Sequence, residues 1–174
     1  MGASNIRQNY NEECEVGINN QINLCLYAAY TVKSIIIYRS RHDVPGNLSA
    51  YTKLSDFMSQ QADSLYAYQN LRGGKVILRD IQNPAKDEWG TLLDVFKAVQ
   101  GLLRNVNQSV VDLIGKARNH SDYHLENYLM TKHSAPLVEL IYLTGKHITT
   151  VEAKAIFSIE DDFDLSSVLG LFAS

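Results

Sequence analysis

The chain has 174 residues, 45% of them hydrophobic, which suits a single domain spanning 1–174 with a full buried core. A formal net charge of −3, with Lys and Arg scattered along the chain, offers no basic face for nucleic acid or an anionic membrane. Two cysteines, Cys14 and Cys25, are too few for a disulfide scaffold, and the longest apolar run, Ile35-Ile36-Ile37-Tyr38, is far short of a membrane span.

In chain order, Met1 to Arg7 lacks the apolar core of a signal peptide, and Arg7 breaks the myristoylation pattern that Gly2 begins. A cytoplasmic protein is the expectation, and the acceptor patterns at Asn47, Asn107 and Asn119 then read as chance matches. The first helical run opens near Asn9 to Glu13 and continues to about Tyr38. Its apolar stripe, Ile18, Ile22, Cys25, Ala29, Val32 and Ile36, has the alternating 4-3 spacing of a bundle seam. Glu12, Glu13 and Glu15 sit in the first turns, where the helix dipole favours them.

A short loop from Arg39 to Gly46, with Pro45, leads to a second run from about Asn47 to Leu71. Leu54, Met58, Gln61, Leu65 and Tyr68 form its stripe, and Gly73-Gly74 provides its stop. A long stretch with little helical period follows, containing the short β-like core Lys75-Val76-Ile77-Leu78. The third run, about Trp89 to Arg118, carries Leu92, Phe96, Val99, Leu103, Val106, Val110 and Leu113 in unbroken register. A fourth begins at the N-cap Ser121-Asp122 and reaches about Lys154, its second half striped by Leu137, Ile141, Thr144, Ile148 and Val151. Pro136 interrupts it, and a kink re-capped by Ser134 is expected there. Asp161 to Asp164 opens a short fifth helix containing Leu165, Val168, Leu169, Leu171 and Phe172.

Four long runs with short turns inside each pair, and a long connection between the pairs, predict an all-α four-helix bundle. The long crossover joins helices two and three, and a short C-terminal helix follows. The crossover Gln69-Asn70-Leu71-Arg72-Gly73-Gly74-Lys75-Val76-Ile77-Leu78-Arg79-Asp80-Ile81, with Pro84 and Asp87-Glu88-Trp89, resembles that of animal ferritins. So do Ile22-Asn23-Leu24, Leu26-Tyr27-Ala28, Asn105-Val106-Asn107-Gln108-Ser109, His124-Leu125, and Gly145 with His147. The resemblance implies a ferritin-like subunit of a twenty-four-subunit shell around a cavity, as a homo-oligomer or together with other ferritin subunits. The crossover would then pair across a two-fold axis, the start of the fourth helix would line three-fold pores, and the last helix would cluster at four-fold pores.

An oxidation centre of this family needs oxygen and imidazole ligands from facing helices, with a Glu-x-x-His pair on one side. Carried over by position, the resemblance puts the first-helix glutamate on Cys25 and the nearby tyrosine on Val32. The second-helix glutamates fall on Phe57 and Met58 and their histidine on Gln61; the third-helix glutamate falls on Leu103 and the fourth-helix glutamine on Leu137. No Asp-x-x-His or Glu-x-x-His occurs anywhere in the chain. The expectation is therefore no ferroxidase enzyme and no required cofactor, with iron as stored cargo. Cys25 reads as a small buried hydrophobe rather than a soft-metal ligand. Gln61 is expected to hydrogen-bond a neighbour such as Tyr30 or Tyr66.

Weaker metal candidates lie elsewhere. Asp56 and Asp63, with Gln60, mark the expected inner face of the second helix, although Phe57 interrupts it; a solvated face is the plainer reading. The family's two pore carboxylates fall on Asn127 and Met130, leaving Asp122, His124 and Glu126 as a possible weaker ring, against which stands an ordinary hydrogen-bonded surface histidine. Three functions compete: a cage subunit without an oxidation centre, a shell with a binding or structural role apart from iron, and an active diiron oxidase whose ligands lie elsewhere.

Overall fold

The structure is a computed structural model that describes residues 5–41 and 48–157. Helix α1 spans Glu12–Arg41, α2 Leu48–Leu71, α3 Leu92–Asn119, α4 Tyr123–Leu129 and α5 Ala135–Phe157. A π-helical turn, Met130–Ser134, joins α4 to α5 as one continuous rod. The predicted fifth helix from Asp161 lies outside the described residues, as does most of the first loop. No strand occurs among the described residues, so Lys75 to Leu78 is extended chain without a β partner there.

Side-chain contacts between helices fix the topology. Gln69 Nε2 donates to the Glu15 carbonyl and Ser55 Oγ to the Ala29 carbonyl, so α2 runs antiparallel to α1. Gln21 Nε2 reaches the Val106 carbonyl at 3.4 Å while His120 Nε2 meets Glu13 at 3.0 Å, so α3 is also antiparallel to α1. The rod α4–α5 is antiparallel to α3 in turn, through Arg118–Glu126, Asn107–Ser134 and Lys97–Glu152. Helices α2 and α3 are therefore parallel, and the chain between them has to travel the length of the bundle. With 30 residues, α1 is about 45 Å long at 1.5 Å per residue.

The crossover is fastened to α1 by a ladder of polar side chains. Glu15 Oε1 accepts from Lys75 N, Asn19 bonds both Lys75 O and Ile77 N, and Asn23 Nδ2 donates to Asp80 O. These three residues are spaced by four, so they share one face of α1. Farther along, Trp89 Nε1 donates to Ser34 Oγ and Arg41 pairs with Glu88. Extended backbone in the crossover thereby finds the partners that a sheet would otherwise supply.

Local signals set the ends. Gly73 has φ 71°, and Gly74 N bonds the Gln69 carbonyl, closing α2 as the glycine pair predicts. The start of α3 departs from the expected Trp89. Thr91 caps the helix and forms a reciprocal capping box with Asp94, while Trp89 is buried at the end of the crossover. Gly17 lets α1 pack closely on α3: a Cβ there would lie 2.4 Å from Leu113 Cδ1, so that side chain would have to shift.

Pro136 is accommodated without a new cap at Ser134. Its missing N–H and its ring conflict with an ordinary turn, and the chain widens ahead of it so that Ala135 N–H reaches back to the Met130 carbonyl. Ser134 Oγ bonds Asn107 Oδ1 instead, at 3.0 Å.

Candidate metal centre and pore residues

The positions that resemble a ferroxidase site lie in the middle of the bundle and belong to its apolar core. Cys25, Val32, Met58, Leu103 and Leu137 are all at most 1% exposed, and Phe57 is also buried. They come from α1, α2, α3 and α5, so the fold does gather them. The seams that carry them follow the helical period, and tertiary packing only closes them together.

Their chemistry does not suit a hard iron pair. Burial pushes the Cys25 thiol up to about 12, with a weak opposing contact from Gln21 Nε2 3.8 Å from Sγ, so the sulfur stays protonated. Met58 offers a soft thioether, and Val32, Leu103 and Leu137 offer no donor at all. Gln61 Oε1 is buried without a hydrogen-bond partner, so the expected bond through it to Tyr30 or Tyr66 is not made. Tyr30 is turned to solvent at 46% exposure, which removes it from reach of the core. Among the described residues no three His, Cys, Asp or Glu side chains gather in a way that could hold a metal ion.

On α2, Asp56, Gln60 and Asp63 are exposed. The two aspartates are separated by about 10 Å along the helix axis, too far to share one ion within a subunit. At the start of α4, Asp122 is 1% exposed: its Oδ1 caps the helix at Leu125 N, and both oxygens grip Arg72 at 3.0 and 2.9 Å. His124 is exposed and its Nδ1 lies 2.9 Å from the Tyr68 hydroxyl. Glu126 Oε1 accepts from Arg118 at 2.9 and 2.6 Å. Each of these three is thus engaged by another side chain of its own subunit. Asn127 and Met130, on which the sequence resemblance puts the pore carboxylates, are exposed.

Arg72 is a hub that sequence reading missed. Besides Asp122 it donates to the Tyr68 hydroxyl at 2.6 Å and to the Gln8 and Asn9 carbonyls, and it lies over the Tyr10 ring at 4.8 Å. Burial works to lower its pKa, but the bonds to Asp122 and Tyr68 outweigh that and raise it, so the guanidinium is firmly charged. It ties the N-terminal segment, the end of α2 and the start of α4 together. Nothing in the local pattern around Arg72-Gly73-Gly74 marks it, because its partners are far away in sequence.

An antiparallel bundle whose parallel second and third helices are joined by a full-length crossover belongs to the long-crossover class, in which carboxylate metal centres occur between the helices. Residues 16–153 match the family Ferritin, described as Ferritin-like domain. The chain is 41% identical over 150 residues to "Ferritin, middle subunit" of Salmo salar, covering 85% of each chain. It is 38% identical over 154 residues to "Soma ferritin" of Lymnaea stagnalis, covering 87% of this chain and 88% of that one. To "Ferritin light chain, oocyte isoform" of Xenopus laevis it is 38% identical over 152 residues, covering 85% of each. The chain belongs to the ferritin family, and membership supports a subunit of an iron-storage cage.

Proposed function

We propose that this protein is a ferritin cage subunit that has lost its ferroxidase centre and serves the shell rather than the oxidation of iron. The observation that carries the reading is the donor set at the former centre. A protonated thiol, a thioether, an amide and four apolar side chains stand where iron would need carboxylate and imidazole. Such a set does not suit a hard cation. The same replacements favour the fold, because a buried carboxylate cluster costs free energy unless a metal neutralises it.

In this reading the subunit joins a twenty-four-subunit shell in the cytoplasm, with active ferritin subunits or with copies of itself, and any iron it holds is cargo. Aerobic Fe(II) added to the purified protein, with particle size recorded, tests it. Oxidation no faster than in buffer is expected, with recovery when an active ferritin subunit is mixed in. Rapid, saturable oxidation would overturn the reading and return the search to Asp56, Asp63 and Gln61.

A second reading, a shell with a binding or structural role apart from iron, is favoured by the pore. The family's carboxylate positions there hold Asn127 and Met130, and Asp122 and Glu126 are bound to arginines. Iron analysis of the shell as purified separates the two: a mineral core supports storage, and its absence supports the second.

A further inference from the structure

The π-helical turn places an ionisable ring in the core where none of the foregoing chemistry uses it. His133 is 1% exposed, and its Nε2 is buried with no hydrogen-bond partner. The turn makes this possible. One extra residue before Pro136 rotates the chain, so that His133 enters the bundle while Lys132 on one side stays exposed. The ring packs against Tyr128, with centroids 5.2 Å apart.

We propose that His133 and the π-helical turn form an acid-sensitive latch: protonation drives the ring out of the core and releases the α4–α5 rod from its seat.

The surroundings offer the charged ring nothing. From α4 it meets Tyr128, whose hydroxyl is committed to the Ser64 carbonyl on α2. Behind Tyr128 lies Tyr68, stacked at 4.1 Å and bonded to both Arg72 and His124. Helix α3 meets the turn through the neutral Asn107. No carboxylate contributes to the His133 environment, and burial alone lowers its pKa from 6.5 to about 4. An imidazolium there would keep a buried, unpaired N–H as well as an unpaired charge.

The direction follows from linkage. The unfolded chain binds the proton near pH 6.5 and the folded chain only near 4, so the stability of the neutral buried ring is complete above pH 6.5. It is lost as pH falls from 6.5 towards 4, by ~300-fold in the folding equilibrium constant. Ionisable groups elsewhere in the molecule are common to the protein and to a variant changed only at position 133.

The test is equilibrium unfolding of the full chain at fixed concentration from pH 7.5 to 4, beside His133→Phe. The unmodified protein is expected to lose two to three orders of magnitude more in the folding constant than the variant. Equal pH dependence in the two would overturn the proposal. Should His133→Phe fail to fold, deuterium exchange at the histidine C2 position, read by mass spectrometry on the unmodified protein, decides it. A His133 midpoint well below the ordinary imidazole value of 6.5 supports the latch, and one near 6.5 overturns it.

Discussion

The Arg72–Asp122 pair gives a sharp test, because Asp122, a helix cap and a weak pore candidate by sequence, is a buried anchor within its own subunit. Replacing Arg72 with Met keeps much of the side-chain volume and strands a carboxylate that is 1% exposed. Breaking one side of such a pair costs about 3–5 kcal/mol, mostly the cost of the uncompensated charge. Loss of the cation over Tyr10 adds ~1 kcal/mol. Asp122→Asn is milder at roughly 2–3 kcal/mol: its side-chain oxygen can still cap Leu125 N, and Arg72, at 12% side-chain exposure, can turn towards water. The double change Arg72→Met with Asp122→Asn leaves no buried ion, so its cost is expected to fall short of the sum by about 2 kcal/mol or more. Guanidinium unfolding followed by circular dichroism, at one protein concentration and with particle size checked for each variant, measures all four corners. Costs under 1 kcal/mol for Arg72→Met, or simple additivity, would refute the buried-anchor account.

Other outcomes follow from the same structure. Leu103→Glu puts a carboxyl group where exposure is 1%; burial should raise its pKa, and the pH-dependent part of the cost approaches ~3–4 kcal/mol at neutral pH, where the folded chain must hold the proton. That loss should shrink as pH falls and the carboxyl protonates, so a stability profile that is flat with pH would contradict the dry core. Cys25, held protonated near neutral pH by burial, should resist a thiol reagent at pH 8 in the native protein and react once unfolded. Native labelling as fast as in denaturant would sink that expectation. Asn19→Ala removes both crossover bonds from a residue that is 2% exposed, costing about 1–3 kcal/mol. Amide exchange at Ile77 should then speed up while α3 keeps its protection; unchanged exchange at Ile77 would show that the ladder does not hold the crossover.

The sequence determined the helices and the direction of their faces by itself. Ile18, Ile22, Cys25, Ala29 and Val32 lie on one stripe because a helix repeats every 3.6 residues, and they are buried for that reason. Glycines at 73 and 74 and the cap at Asp122 are equally local, so the C-terminal end of α2 and the start of α4 could be read directly. The apolar character of Leu103 and Leu137 was legible too, since a leucine on a bundle stripe is buried whatever its neighbours. Long-range contacts decided the rest. Whether Asp122 faces a pore or grips Arg72 depends on a residue fifty positions away. The orphaned Gln61 oxygen and the inward turn of His133 depend on how neighbouring helices close around them. Residue type sets what a side chain can do, but burial and partners set what it does, and those arise only when distant segments of the chain pack together.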